Sequence, residues 1–163
     1  MHASSYEKCG KFVSGYLNAI QPLKILDVGS SGHTGTYKEL FNNPLWTYEG
    51  TDIHPGPNVD FVMAQYIIPV ERDTYDVVIS GQTMEHVEYF WLWIKELVRV
   101  LKPGGILFLT APGSGPIHRD PIDCWRFHVD GMYVLAKWAE LHVLESYMTQ
   151  ENDWWDCVLI ATK

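Results

Sequence analysis

The sequence predicts an α/β fold: a doubly wound, mostly parallel sheet of seven strands with an antiparallel last strand. Three observations carry this. Short apolar runs of strand length alternate with stretches of helical period, the pattern that crossover connections produce. The first run ends in Asp27-Val28-Gly29 and opens into a loop with Gly32 and Gly35. Strand, glycine turn and helix form the start of a Rossmann-like nucleotide-binding unit. The last two runs have no helical pattern between them, which makes the final strand antiparallel to its neighbour.

The elements follow in order. Residues 5–18 predict an opening helix with Tyr6, Phe12, Val13, Tyr16 and Leu17 on its apolar side. The first strand is 24–28, and 34–41 suits a helix after the glycine loop. The second strand is 46–53. The turn His54-Pro55-Gly56-Pro57-Asn58 leaves no room for a crossover helix of ordinary length, so the connection to the third strand, 59–63, is reduced to a loop. Residues 75–80 form a buried fourth strand.

The clearest helix is 84–101, where Val87, Trp91, Ile94, Val98 and Leu101 step by four and three along one face. Phe90 and Trp93 widen that face. Thr83 suits the cap, and Lys102-Pro103-Gly104-Gly105 the stop. The fifth strand is 106–111. A polar loop, 112–130, precedes a helix at 131–140 with Asp130 as its cap. Strands at 141–147 and 156–162 close the sheet.

With 163 residues, 47% hydrophobic and 20% charged, the chain suits one globular domain, 1–163. Within it, 1–20 is an N-terminal helical segment and 112–130 a substrate loop. A net charge of −8 argues against a general nucleic-acid binder. The seven Trp and nine Tyr must be buried or used, and a homodimer through aromatic surfaces is one use. Cys9, Cys124 and Cys157 are odd in number and lack metal-ligand spacing, as in a reduced cytoplasmic protein. No run approaches a membrane span, and neither a membrane nor a nucleic acid is expected as partner.

Asp27 discriminates among ribose-containing ligands. A carboxylate two residues before a glycine turn would repel a pyrophosphate, which disfavours a nicotinamide dinucleotide. It suits a ligand with a cationic end. Asp52, at the tip of the second strand, suits the hydroxyls of a ribose. On Asp27-Val28-Gly29, Asp52, the run 75–80 with Glu85-His86-Val87, and 96–105 ending in Lys-Pro-Gly-Gly, the chain resembles the class I S-adenosylmethionine-dependent methyltransferases over roughly residues 20–112. Ser31 and His33 stand where that family's motif has its next two glycines. Gln65 lies where many relatives carry an acid near the adenine.

The resemblance implies S-adenosylmethionine as cofactor, held by Asp27, Gly29, Ser30, Ser31, Gly32, Asp52, Ile53, Gln65, Ser80 and Gln82. It implies transfer of a methyl group to a small-molecule acceptor, with O-methylation of a polar acceptor expected. A non-catalytic S-adenosylmethionine-binding protein of the same fold is the alternative. His118 is a candidate general base and His86 a second catalytic candidate. Their structural readings are a packed loop and the first turn of a helix. Arg126 is expected to pair with Asp123 or Asp130. No metal site is expected, because His118, Asp120, Asp123 and His128 have no recognised ligand spacing.

Overall fold

In this computed structural model, residues 3–33, 35–151 and 154–163 are described, the side chain of residue 151 excepted. Each apolar run read as a strand is one. The elements are α1 (Ala3–Tyr16), β1 (Leu23–Val28), β2 (Trp46–Asp52), β3 (Phe61–Val62), β4 (Tyr75–Gly81), α2 (Phe90–Val100), β5 (Leu101–Pro112), α3 (Val129–Trp138), β6 (His142–Glu151) and β7 (Trp154–Thr162). Short 3₁₀ turns occupy Lys38–Phe41 and Met84–His86.

The sheet runs β3-β2-β1-β4-β5-β7-β6. Pairs from β3 to β5 are parallel, and β7 is antiparallel to both β5 and β6. Strand order reverses between β1 and β4. The carboxyl ends of these strands share one edge, where such sheets bind ligands.

Each face carries its own core. On one, Leu26, Val78, Leu107 and Leu159 pack under α2 and α3, with Trp93, Ile94, Leu97 and Val100 from α2. On the other, α1 lays Cys9 and Phe12 over Ile25, Val77, Ile79 and Phe108. The Phe12 and Phe108 rings stack with centroids 4.9 Å apart.

Several expected boundaries move. The helix expected over 34–41 is reduced to the 3₁₀ turn Lys38–Phe41; Thr34 itself lies outside the described residues. Gly35, Thr36 and Pro44 bracket too few good helix formers to nucleate an α-helix. The backbone N–H of Lys38 donates instead to Thr36 Oγ1 at 3.0 Å. Thus α1 alone supplies the long helix on this face.

The helix expected from residue 84 begins at Phe90, preceded by the turn Met84–His86. Thr83 does not cap it, since its hydroxyl turns back to the Gly81 carbonyl at 3.2 Å. The later start rotates the buried face to Trp93, Ile94, Leu97 and Val100, and leaves Trp91 partly exposed. The Lys-Pro-Gly-Gly stop belongs to the start of β5, at a register shift against β4. Likewise α3 begins at Val129 behind His128, so Asp130 sits inside its first turn. In α1 the inward side includes Ser5, Lys8 and Cys9, and Tyr16 is exposed.

Candidate active site

The carboxyl edge of the sheet opens into a cavity of about 520 Å³, the size of a small-molecule site. Its walls come from the segments that leave β1, β2, β3 and β4, and from a stretch of the long loop that includes Ile122. Of the twelve residues assigned by sequence, Asp27, Gly29, Ser30, Ser31, Gly32, Asp52, Ile53, Gln65, Gln82 and His86 line it. Ser80 does not; buried between strands, its hydroxyl donates to the Val28 carbonyl at 2.6 Å and ties β4 to β1. His118 is also off the wall, packed behind His86 with ring centroids 4.9 Å apart.

The glycine loop is shaped by the protein itself. Gly29 and Gly32 have φ of +83° and +78°, where side chains other than glycine are strained. A Cβ on Gly29 would come within 2.1 Å of Thr83 Oγ1, and one on Gly32 within 3.0 Å of Asn58 Cβ. These glycines therefore let the loop close on the 54–58 turn and on the segment after β4.

Asp52 ends β2 with its carboxylate held by two backbone donors. The N–H of Ser31 reaches one oxygen and the N–H of His54 the other, each at 3.2 Å. This fixes the carboxylate at the cavity wall with acceptor capacity to spare. Asp27 is buried, with the Tyr48 hydroxyl donating to it at 2.5 Å. Burial pushes its carboxyl up to about 7; the Tyr48 bond opposes this and the nearby Asp52 charge adds to it. A cationic ligand group beside it would restore the charged form.

Gln82 adopts φ of +56°, unusual for a residue with a side chain. Its backbone N–H donates to Thr110 O at 2.8 Å, and its side-chain amide donates to Asp156 at 2.9 Å. Its own Oε1 is buried and unpartnered. The fully buried Asp156 also accepts from Ser4 at 2.6 Å and pairs with Lys8 at 3.4 Å. This polar network joins α1, the site and β7. Sequence reading missed it, because serines and a lysine on a helix ordinarily mark its wet side.

The far wall is the turn Met84–His86 clasped by the 113–128 loop. Backbone N–H groups of Cys124 and Trp125 donate to Glu85 O at 2.8 and 3.3 Å, and the Trp125 indole donates to Val87 O at 3.0 Å. Phe127 is buried against Phe90. Arg126 grips Asp123 through two bonds of 2.6 and 2.8 Å, the expected internal pair, and holds that carboxyl well below the usual range. His86 Nδ1 lies 2.5 Å from Ile122 O, and its Nε2, without a hydrogen bond, stands 3.6 Å from Glu85 Oε1. Glu85 is fully buried, and neither of its oxygens has a hydrogen-bond partner. Burial pushes its carboxyl up to about 8.

S-Adenosylmethionine fits the donor set of this cavity. It has a ribose, for the fixed acceptors of Asp52, and a cationic amino-acid end, for Asp27 and the orphaned Gln82 Oε1. Among the described residues, no helix is long and apolar enough to cross a membrane.

Comparison with known proteins agrees with the geometry. The methyltransferase domain family matches residues 26–109. A relative, the phthiotriol/phenolphthiotriol dimycocerosates methyltransferase 1 of Mycobacterium ulcerans (strain Agy99), is 32% identical over 101 residues, 53% of this chain. The chain spans 36% of that relative's length. A SAM-dependent methyltransferase from Methanosarcina mazei superposes with a TM-score of 0.75 at 17% identity, over 93% of this chain and 96% of that one. The [4+2]-cyclase SpnF superposes with a TM-score of 0.76 at 14% identity, over 96% of this chain and 80% of that one. Likeness at these identities shows the fold.

Proposed function

The chain belongs to the methyltransferase domain family, the class I S-adenosylmethionine-dependent methyltransferases, and from that premise we propose that it methylates an oxygen of a small polar acceptor. The observation that carries the reading is the cavity's polarity. One end has the two carboxyl groups, Asp27 and Asp52, and the other has the imidazole of His86. S-Adenosylmethionine supplies a methyl group already activated by a positively charged sulfur.

The chain's own residues bind, orient and exclude water. Asp52 accepts the ribose hydroxyls, through charge-assisted bonds of roughly 1.5–3 kcal/mol each. Asp27, the backbone of Gly29, Ser30, Ser31 and Gly32, and Gln82 Oε1 take the amino-acid end. Ile53 and Gln65 line the adenine end, with Gln65 or a backbone group bonding the amino group. His86 Nε2 is free to take a hydroxyl proton from the acceptor, and His118 supports it from behind. The 113–128 loop closes the acceptor side, with Arg119 exposed there for an anionic group. Methyl transfer is mainly alignment of acceptor, methyl and sulfur, so rigid walls matter more than proton transfer.

A non-catalytic S-adenosylmethionine-binding protein is the second reading. It stands beside the enzyme because a shared fold does not by itself specify a reaction. Exposed Tyr89, Trp91, Leu92 and Trp138 offer a surface for a homodimer; sedimentation velocity reads the mass.

Calorimetry with S-adenosylmethionine, its demethylated product and NAD tests the cofactor. Binding of the first two and not the third is expected, with about 2.7 kcal/mol of stabilisation at 100-fold excess over Kd. Heat with NAD alone would overturn the reading. Methyl transfer to polyhydroxylated, phenolic and carboxylate acceptors then separates enzyme from binder.

A further inference from the structure

We propose that Glu85, His86 and His118 form a binding site for one divalent transition-metal ion, of the zinc class, at the acceptor end of the cavity. The ligand atoms of the three lie within 4.8 Å of one another. His86 Nε2 is 3.6 Å from Glu85 Oε1, and His118 Nε2 is 3.7 Å from the same oxygen. Ligands about 2.0–2.2 Å from a tetrahedral ion sit roughly 3.3–3.6 Å apart. The two imidazole nitrogens thus need to close on the Glu85 oxygen by only a few tenths of an ångström, and on each other from a separation of no more than 4.8 Å.

The second observation is Glu85 itself. Its side chain is completely buried, yet both oxygens lack a hydrogen-bond partner. Burying an unpaired carboxylate is costly, and an ion held by that carboxylate removes the cost. Two imidazole nitrogens, of His86 and His118, stand within 3.7 Å of one of its oxygens.

The third is the orientation of the imidazoles. Each points Nε2 at Glu85; His86 Nδ1 lies 2.5 Å from Ile122 O, while His118 Nδ1 sits 3.4 Å from Asp123 Oδ2 without a hydrogen bond, the same oxygen accepting from the His118 backbone N–H at 2.8 Å. Metal-ligating histidines present the arrangement seen at His86, because an acceptor on the second nitrogen fixes the tautomer and turns the lone pair toward the ion; at His118 the Asp123 carboxylate stands close to the second nitrogen to play that part once an ion is bound. Asp123 is itself clamped by Arg126.

Two imidazoles and one carboxylate form a mixed nitrogen and oxygen set. It suits Zn²⁺, Fe²⁺ or Co²⁺, and leaves one or more positions for an outside oxygen. Of the three, His86 lines the cavity, so an outside oxygen would reach the ion from the His86 side. The fitting ligand is water or an acceptor's hydroxyl or carboxylate oxygen. This last assignment rests on the methyltransferase reading; the ion site does not. With an ion bound, both Nε2 lone pairs are engaged, and coordination replaces His86 as the group that acidifies the hydroxyl. Sequence spacing hides the site, since Glu85 and His86 are adjacent and His118 arrives from a distant loop.

The test uses the full chain, stripped with a chelator and titrated with zinc chloride by calorimetry. Cobalt chloride serves as a second probe, read by its visible absorption. One ion per chain is expected, with about 100-fold or greater loss of affinity in Glu85→Gln and in His118→Ala. Asp123→Asn should lose about tenfold, and the exposed His142→Ala nothing. Thermal unfolding and S-adenosylmethionine binding on the same preparations report whether each variant is folded. No ion bound by the wild-type chain, or undiminished affinity in folded Glu85→Gln and His118→Ala, would overturn the site. Cofactor binding without ion binding would defeat this proposal and leave the methyltransferase reading standing.

Discussion

The two ends of the cavity are built differently. At the cofactor end, Asp27, Gly29, Ser31 and Asp52 lie within three residues of the carboxyl end of β1 or β2, and parallel pairing from Leu23↔Trp46 to Val28↔Thr51 sets them side by side. At the acceptor end, Glu85 and His86 follow β4, while His118, Ile122 and Asp123 come from a loop with no regular structure. That loop is held by single long-range bonds, such as Cys124 N–H to Glu85 O. Strand ends inherit their positions from the sheet ladder, so one motif specifies them. Loop groups depend on several separate contacts, which makes the second end easier to vary while the first is kept.

Removing the imidazole of His86 should break the acceptor end alone and is expected to have the largest effect. As the group placed to take the acceptor's proton, His86→Ala lowers turnover by roughly 10²–10⁴-fold and leaves cofactor affinity unchanged. A change confined to KM would make it a positioning residue. Steady-state kinetics on an identified acceptor, with calorimetry alongside, separates the two.

Gly29→Ala should damage the junction between the ends. A Cβ there meets Thr83 Oγ1 at 2.1 Å, on a backbone with φ of +83°. Strain and crowding together should cost roughly 2–4 kcal/mol, measured by urea unfolding. A stability equal to wild type would mean that the loop and the segment after β4 are not in contact.

The cofactor end alone should respond to Asp52→Ala. Loss of the charged acceptor weakens S-adenosylmethionine binding by roughly tenfold or more, while the free protein still unfolds cooperatively, with stability lowered only by the lost bonds from the Ser31 and His54 N–H groups. Equal affinity in the mutant would move the ribose elsewhere.

The smallest effect sharpens the role of Asp27. The groups facing it are Tyr48, Asp52, Tyr37 and Cys9. With its carboxyl at about 7 against an ordinary 3.8, the native state binds more protons than the unfolded state between those values. Its contribution therefore lowers stability as pH rises from 4 to 7. A cationic ligand needs the ionised form, so affinity should rise with pH up to about 7, by at most roughly tenfold per unit, and then level off. Calorimetry at pH 5.5, 6.5 and 7.5 reads the slope, and a flat profile would place the cation away from Asp27.

Local sequence determined the strands, the carboxyl-edge location of Asp27 and Asp52, the loop in place of a second crossover helix, and the antiparallel last strand. Each follows from apolar period, a glycine turn or a missing helical stretch, which are properties of neighbours along the chain. Only the tertiary structure decided that the 34–41 segment shrinks to a 3₁₀ turn, because nucleation there competes with a bond to Thr36 and α1 already covers that face. It alone turned Lys8 inward to the buried Asp156, moved Ser80 into a strand tie, and set His118 behind His86. These placements follow from the pairing of polar groups remote in sequence, as in the 152 positions from Ser4 to Asp156. A buried polar group takes whichever partner the packing leaves within reach, and no periodicity along the chain encodes that choice.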